Sequence, residues 1–139
     1  MINLKKIDHI AMIVNSIEGA RDFYEEKMGF KHEGTATADV TGDTYCTVRN
    51  GDSIIELVKV SNKSPLTEAG IDEIGLNHIA YQVDDLDETI DELKEMNCAL
   101  IPEEKVVIGD VKFVYAKMPS GEILEFMEIP EDYEYAYQA

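Results

Sequence analysis

Ile7-Asp8-His9-Ile10-Ala11-Met12-Ile13-Val14 and Leu76-Asn77-His78-Ile79-Ala80-Tyr81-Gln82-Val83 are two copies of one stretch. In each, a His stands third in a short apolar run of strand character, and the residues that follow begin a helix. The two His residues are 78 − 9 = 69 positions apart. The same offset relates Ile54-Ile55-Glu56-Leu57-Val58 to Ile123-Leu124-Glu125-Phe126-Met127, since 125 − 56 = 69. Two His and two Glu therefore occupy equivalent positions of an internal duplication.

The duplication extends outward from these segments. After the first copy, Asn15-Ser16 offers a helix cap, and Ile17, Ala20, Phe23, Tyr24 and Met28 recur at helical spacing until Gly29. After the second, Asp85 with Glu88 forms a capping box, and Leu86, Ile90 and Leu93 form the stripe before Asn97. Residues 30–40 are compatible with a strand or with a flap. Asn50-Gly51 predicts a two-residue hairpin turn, with Arg49 opposite Asp52, Thr47 opposite Ile54 and Tyr45 opposite Glu56. Tyr45 and Thr47 are thereby candidates to line the site, and the offset places Val114 near Glu125. The expected organisation is one domain over 1–139: a module at about 5–60, a linker at 61–75, a second module at about 76–130, and an acidic, tyrosine-rich tail at 131–139. Each module reads as strand, helix and about three strands. Each is too small to bury a comfortable core alone, so the halves are expected to pack together.

Twenty-nine acidic residues against twelve basic ones give a formal charge of −17. Such a field repels nucleic acid and anionic membrane surfaces, and the scattered Lys and Arg residues form no compensating patch. No apolar run approaches bilayer length and no signal core precedes the first strand, so a cytoplasmic protein with a small-molecule substrate is expected. Cys46 and Cys98 lack CxxC spacing and read as reduced, buried thiols.

A lone His in a strand is ordinarily a hydrogen-bonded core residue, and a lone Glu is ordinarily an edge residue. Here His9 and His78 alternate with Ala11 and Ala80, and Glu56 alternates with Ile54 and Val58, so period-2 geometry turns them toward an apolar face. Two carboxylates buried there need a cation to offset the loss of solvation. A divalent metal meets that need, and the N2O2 donor set suits Ni, Co, Mn, Fe or Zn. Such an ion polarises a carbonyl and stabilises an enediolate while a carboxylate removes the adjacent proton.

The two His strands, Phe23-Tyr24-Glu25-Glu26-Lys27-Met28-Gly29-Phe30, Ile55-Glu56-Leu57, Val83-Asp84-Asp85-Leu86 and Pro119-Ser120-Gly121 before Leu124-Glu125-Phe126 together resemble the vicinal oxygen chelate superfamily over nearly the whole chain. The resemblance implies an α+β fold of two βαβββ modules forming a curved mixed sheet around a metal, with His9, Glu56, His78 and Glu125 as its ligands, and a homodimer. Within the superfamily the set His, Glu, His, Glu is similar to glyoxalase I (lactoylglutathione lyase), which implies Glu125 as general base and Glu56 as ligand or partner acid. The alternatives are a methylmalonyl-CoA epimerase-like acyl-CoA epimerase and, in a different class, an antibiotic-binding or sequestering protein. Two positions depart from the patterns. The glutathione-contacting Arg of bacterial glyoxalase I, four residues after the first His, is replaced by Ile13. The second base of the epimerases has only Asp39 or Asp43 as a counterpart.

Overall fold

The computed structural model describes residues 1–131, so the tail from residue 132 onward lies outside the described residues. The described residues are α+β, with eight strands and three helices in the order β-α-β-β-β-α-β-α-β-β-β. The described residues divide into two compact units, one built from His9–Asn77 and the other from Met1–Asp8 together with residues 78–131.

In the His9–Asn77 unit, β1 (Leu4–Ile13) enters at its second half and is followed by α1 (Ile17–Met28), β2 (Lys31–Thr37), β3 (Thr44–Asn50) and β4 (Ser53–Lys59). The strand order is β2-β3-β4-β1. The β1–β4 pair is parallel, and β2–β3 and β3–β4 are antiparallel. Residues 31–37, open between strand and flap in the sequence, form a strand with a register shift between His32 and Gly34. Ser16 caps α1 by accepting from the Gly19 amide at 3.0 Å, and Gly29 ends it at φ 74°. The helix lays Ile17, Ala20 and Tyr24 on a core of Cys46, Val48 and Leu57. Phe23 and Met28, expected on that face, are 56% and 50% exposed, so the buried stripe is narrower than the apolar spacing predicts.

The other unit holds β5 (Gly75–Val83, from His78), α3 (Leu86–Glu95), β6 (Ala99–Ile108), β7 (Val111–Lys117) and β8 (Ile123–Glu128). Its order is β5-β8-β7-β6, again with one parallel pair, β5–β8. Asp85 caps α3 by accepting from the Glu88 amide at 3.0 Å, and Asn97 follows the helix at φ 60°. Leu86, Ile90 and Leu93 pack against Cys98, Val114, Ala116 and Phe126. The chain's start belongs here: Ile2 packs on that core, and Asp8 accepts from the Gln82 amide nitrogen at 2.6 Å.

The hairpin register differs from the Asn50-Gly51 expectation. Asn50 pairs with Ser53, so the two-residue loop is Gly51-Asp52. Gly51 has φ 60°, whereas neither Asn50 nor Asp52 is among the residues of positive φ. That is the pattern of a II′ turn with Gly first, not of the I′ turn in which both central residues are left-handed. Every cross-strand pair moves by two residues, so Thr47 faces Glu56 and Tyr45 faces Val58. A shift of two leaves each side chain on its predicted face.

Between β2 and β3 the chain turns through residues 38–43 and is tied to the linker after β4 by a buried carboxylate. Asp43, 1% exposed, accepts from the Ser61 amide at 2.8 Å, the Ser64 hydroxyl at 2.8 Å and the Tyr45 hydroxyl at 3.3 Å. Ser64 also caps the short helix α2 (Pro65–Glu68). Gly42 sits at φ 76°, and a Cβ there would lie 2.7 Å from Ser61 Oγ, which is held by its bond to the Thr41 carbonyl. The left-handed backbone and the fixed neighbour act together, so Gly42→Ala is expected to lose about 1–3 kcal/mol of stability. Urea unfolding of the two proteins measures it, and an unchanged midpoint would show that this turn is not held as described.

Candidate metal centre

Each parallel strand pair builds one His–Glu couple. On β1 and β4, Ala11 is the register partner of Glu56, with His9 two residues earlier on the same face. On β5 and β8, Ala80 is the partner of Glu125, with His78 in the corresponding place. Both alanines are 0% exposed. A side chain of one carbon there leaves room for the longer Glu to lean along its strand toward the imidazole. His9 Nε2 stands 3.7 Å from Glu56 Oε2, and His78 Nε2 stands 2.8 Å from Glu125 Oε1. All four residues are buried, at 2%, 6%, 4% and 3% exposure.

His9, His78 and Glu125 each offer a ligand atom that could hold a metal ion. Neutral imidazole and carboxylate, with no thiolate, are a donor set suited to a borderline or hard divalent cation. The positive charge of such an ion would offset the desolvation of a buried carboxylate. The donor chemistry therefore fits a metal. The third histidine stands apart from this set: His32, on β2, bonds through Nε2 to Thr35 Oγ1 at 2.8 Å.

The flanking positions divide. Thr47 lies directly opposite Glu56, and Tyr45 shares its face of β3 while its hydroxyl is engaged by Asp43 and Thr41. Val114 is a correction. It pairs with Phe126, is 0% exposed and belongs to the apolar core. The residue opposite Glu125 is Tyr115, whose ring meets His78 edge-on at 4.9 Å and Phe113 at 5.5 Å.

The cause is the length of the second hairpin. The counterpart of Thr47 is Ala116, since 47 + 69 = 116, yet Ala116 pairs with Leu124. The innermost β7–β8 pair is Lys117–Ile123, so the connection is 118–122, against Gly51-Asp52 in the first hairpin. An odd difference in loop length slips the register by one and exchanges the faces of β7. The cue lay in Pro119-Ser120-Gly121, a longer turn signal than the one it replaces.

Asp43, a possible second base by resemblance, is committed to the linker through the bonds described above, and Asp39 is exposed. Cys46 alternates with Tyr45 and Thr47 and so faces the core under α1. Burial pushes its thiol above the ordinary value of 9.0, with a hydrogen bond from Thr35 pulling the other way. Such a thiol is a poor nucleophile.

A duplicated βαβββ fold with one buried His–Glu couple in each copy defines a recognisable class of protein, and comparison with known sequences identifies it. The chain belongs to the glyoxalase/bleomycin resistance protein/dioxygenase superfamily, whose family model matches residues 8–115. His9, Glu56 and His78 fall within that match. The chain is 28% identical over 128 residues to the uncharacterized protein YwbC of Bacillus subtilis, covering 89% of this chain and 98% of that one. It is 26% identical over 125 residues to the mitochondrial methylmalonyl-CoA epimerase of Bos taurus, covering 85% and 69%. Among solved structures, a hypothetical protein of Bacillus halodurans superposes with a TM-score of 0.77 at 29% identity, covering 93% and 97%. The methylmalonyl-CoA epimerase of Mycobacterium tuberculosis shares the fold, with a TM-score of 0.78 at 18% identity and coverage of 94% and 91%.

Two predictions follow from this geometry. Val114→Ala is expected to cost about 1–3 kcal/mol of stability through the cavity it leaves, with divalent-metal affinity unchanged. Loss of metal binding in a stably folded variant would return Val114 to the site. The raised thiol predicts a pH effect. Above about pH 9 the unfolded Cys46 loses its proton while the folded one keeps it, so stability present below that pH declines as pH rises. Between pH 8 and pH 10 the wild type should therefore lose more stability than Cys46→Ala, and equal losses in urea titrations would refute the shift.

Proposed function

We propose that this protein is a metal-dependent isomerase of the acyl-CoA epimerase type, removing and returning a proton at the carbon beside a thioester carbonyl. The observation that carries the reading is the buried His–Glu couple in each half of the duplication, at 3.7 Å and 2.8 Å. Residues His9, Glu56, His78 and Glu125 would hold the metal. When bound, that ion supplies Lewis acidity toward a substrate carbonyl oxygen. Glu125 takes the proton in this scheme, and Glu56, its counterpart in the duplication, serves as ligand and partner acid. The two imidazoles remain neutral ligands.

The acyl-CoA substrate class is favoured over the glyoxalase I reading on two grounds. Among the relatives that carry an activity in their name, the one cited above is a methylmalonyl-CoA epimerase, and the shared fold includes such an epimerase bound to methylmalonyl-CoA. Ile13, where bacterial glyoxalase I has its glutathione-contacting Arg, is 2% exposed and offers no cationic contact. The complete His, Glu, His, Glu set is what favours glyoxalase I, so conversion of a 2-oxoaldehyde–thiol adduct is the second reading. Retention of all four ligand types favours either enzyme over a metal-free sequestering protein. Among the described residues no helix is long and apolar enough to cross a membrane, and a cytoplasmic homodimer completes the proposal.

Solvent exchange tests it. Protein loaded with Co(II) in D2O is expected to place deuterium at carbon 2 of methylmalonyl-CoA, followed by NMR or mass spectrometry. Glu125→Gln should lower the rate by at least about a hundredfold. Exchange no faster than the uncatalysed background would sink the epimerase reading, and a wild-type rate in the variant would remove Glu125 as the base.

A further inference from the structure

Thr47 Oγ1 is a buried side-chain oxygen with no hydrogen-bond partner among the described residues. The residue is 1% exposed. A hydroxyl in that state has given up its bonds to water and gained none in return, whereas Val would fill the same space without that cost. Thr47 is thus a group whose partner belongs to another state of the site.

Its position identifies that partner. Thr47 on β3 lies directly across from Glu56 on β4, and directly opposed residues share a face with their Cβ atoms about 4.5–5.5 Å apart. The oxygen is closed to solvent, and the residue directly across the strand pair from it carries a carboxylate. Glu56 also keeps the longer of the two His–Glu distances, 3.7 Å against 2.8 Å for Glu125. Beside Glu125 the equivalent place is taken by the Tyr115 ring, which packs on His78. The donor therefore stands beside the carboxylate that its own histidine holds less closely.

We propose that Thr47 is a positioning residue for Glu56. Its hydroxyl would donate to the Glu56 carboxylate and so fix the orientation of that side chain as a ligand when a divalent metal is held. The inference rests on the metal-site reading above, and it concerns binding rather than turnover. Groups that orient a metal ligand in this way typically contribute 10- to 100-fold in affinity.

The test uses the full chain, stripped with chelator and titrated with Co(II). In Thr47→Val the Kd for Co(II) should rise about 10- to 100-fold and the Co(II) absorption bands should change. The metal-free variant should melt no lower than wild type, because the hydroxyl is unsatisfied in that state. Thr47→Ser should restore most of the affinity. Wild-type affinity in Thr47→Val would overturn the proposal, and so would a clearly lowered melting temperature of the metal-free variant, which would show the hydroxyl already bonded in the fold. Failure of the wild type to bind Co(II), or unchanged binding in His9→Ala, would instead remove the metal-site reading, and the role of Thr47 with it.

Discussion

A carboxylate taken out of water must be matched by a charge or by donors, and the described residues bury four in settings of two kinds: Glu56 and Glu125 beside imidazoles, and Asp43 and Asp8 beside hydroxyl or amide donors. The first kind depends on the parallel pairing of β1 with β4 and of β5 with β8. That pairing sets an alanine next to each glutamate, so the carboxylate has room to reach the histidine two residues back. A larger residue at Ala11 or Ala80 would occupy that room. The remaining strands, helices and caps keep these two pairs in register and dry.

Asp43 shows the same constraint met by the protein alone. A backbone amide, a serine and a tyrosine supply its donors, and the outcome is structural: the turn before β3 is fastened to the linker after β4. The contrast helps in reading the other two. Donors from the chain make a buried carboxylate a clasp, whereas an imidazole neighbour, itself a metal-ligand type, makes it a candidate for chemistry.

Much of this was legible in the sequence because the duplication repeats its signals. The offset of 69 linked His9 to His78 and Glu56 to Glu125, and period-2 alternation assigned their face without reference to tertiary structure. The caps at Ser16 and Asp85 follow from local chemistry and stand where that chemistry places them. What escaped were quantities set by turns. Asn50-Gly51 carries a strong signal for one hairpin, but Gly51 took the first central place and drew Asp52 into the loop. Tyr115 could not be found by carrying the offset across, because the offset holds for β8 and not for its partner strand. Phe23 and Met28 satisfied helical spacing, yet the surface beneath α1 is too narrow to cover them, and that width is a tertiary property.

The unequal hairpins bear on how a symmetric site ages. After a duplication the two halves begin with identical walls, and point substitutions can distinguish them only one residue at a time. An odd change in the length of the β7–β8 turn does something larger: it exchanges inside for outside along the whole of a strand, and here Phe113 and Tyr115 share the face of Glu125 while Val114 and Ala116 lie in the core. The ligands on the neighbouring strands are untouched by that event. The proposed ligands and the residues opposite them thus lie on different strands, and a change in the length of one turn alters the second set while leaving the first intact.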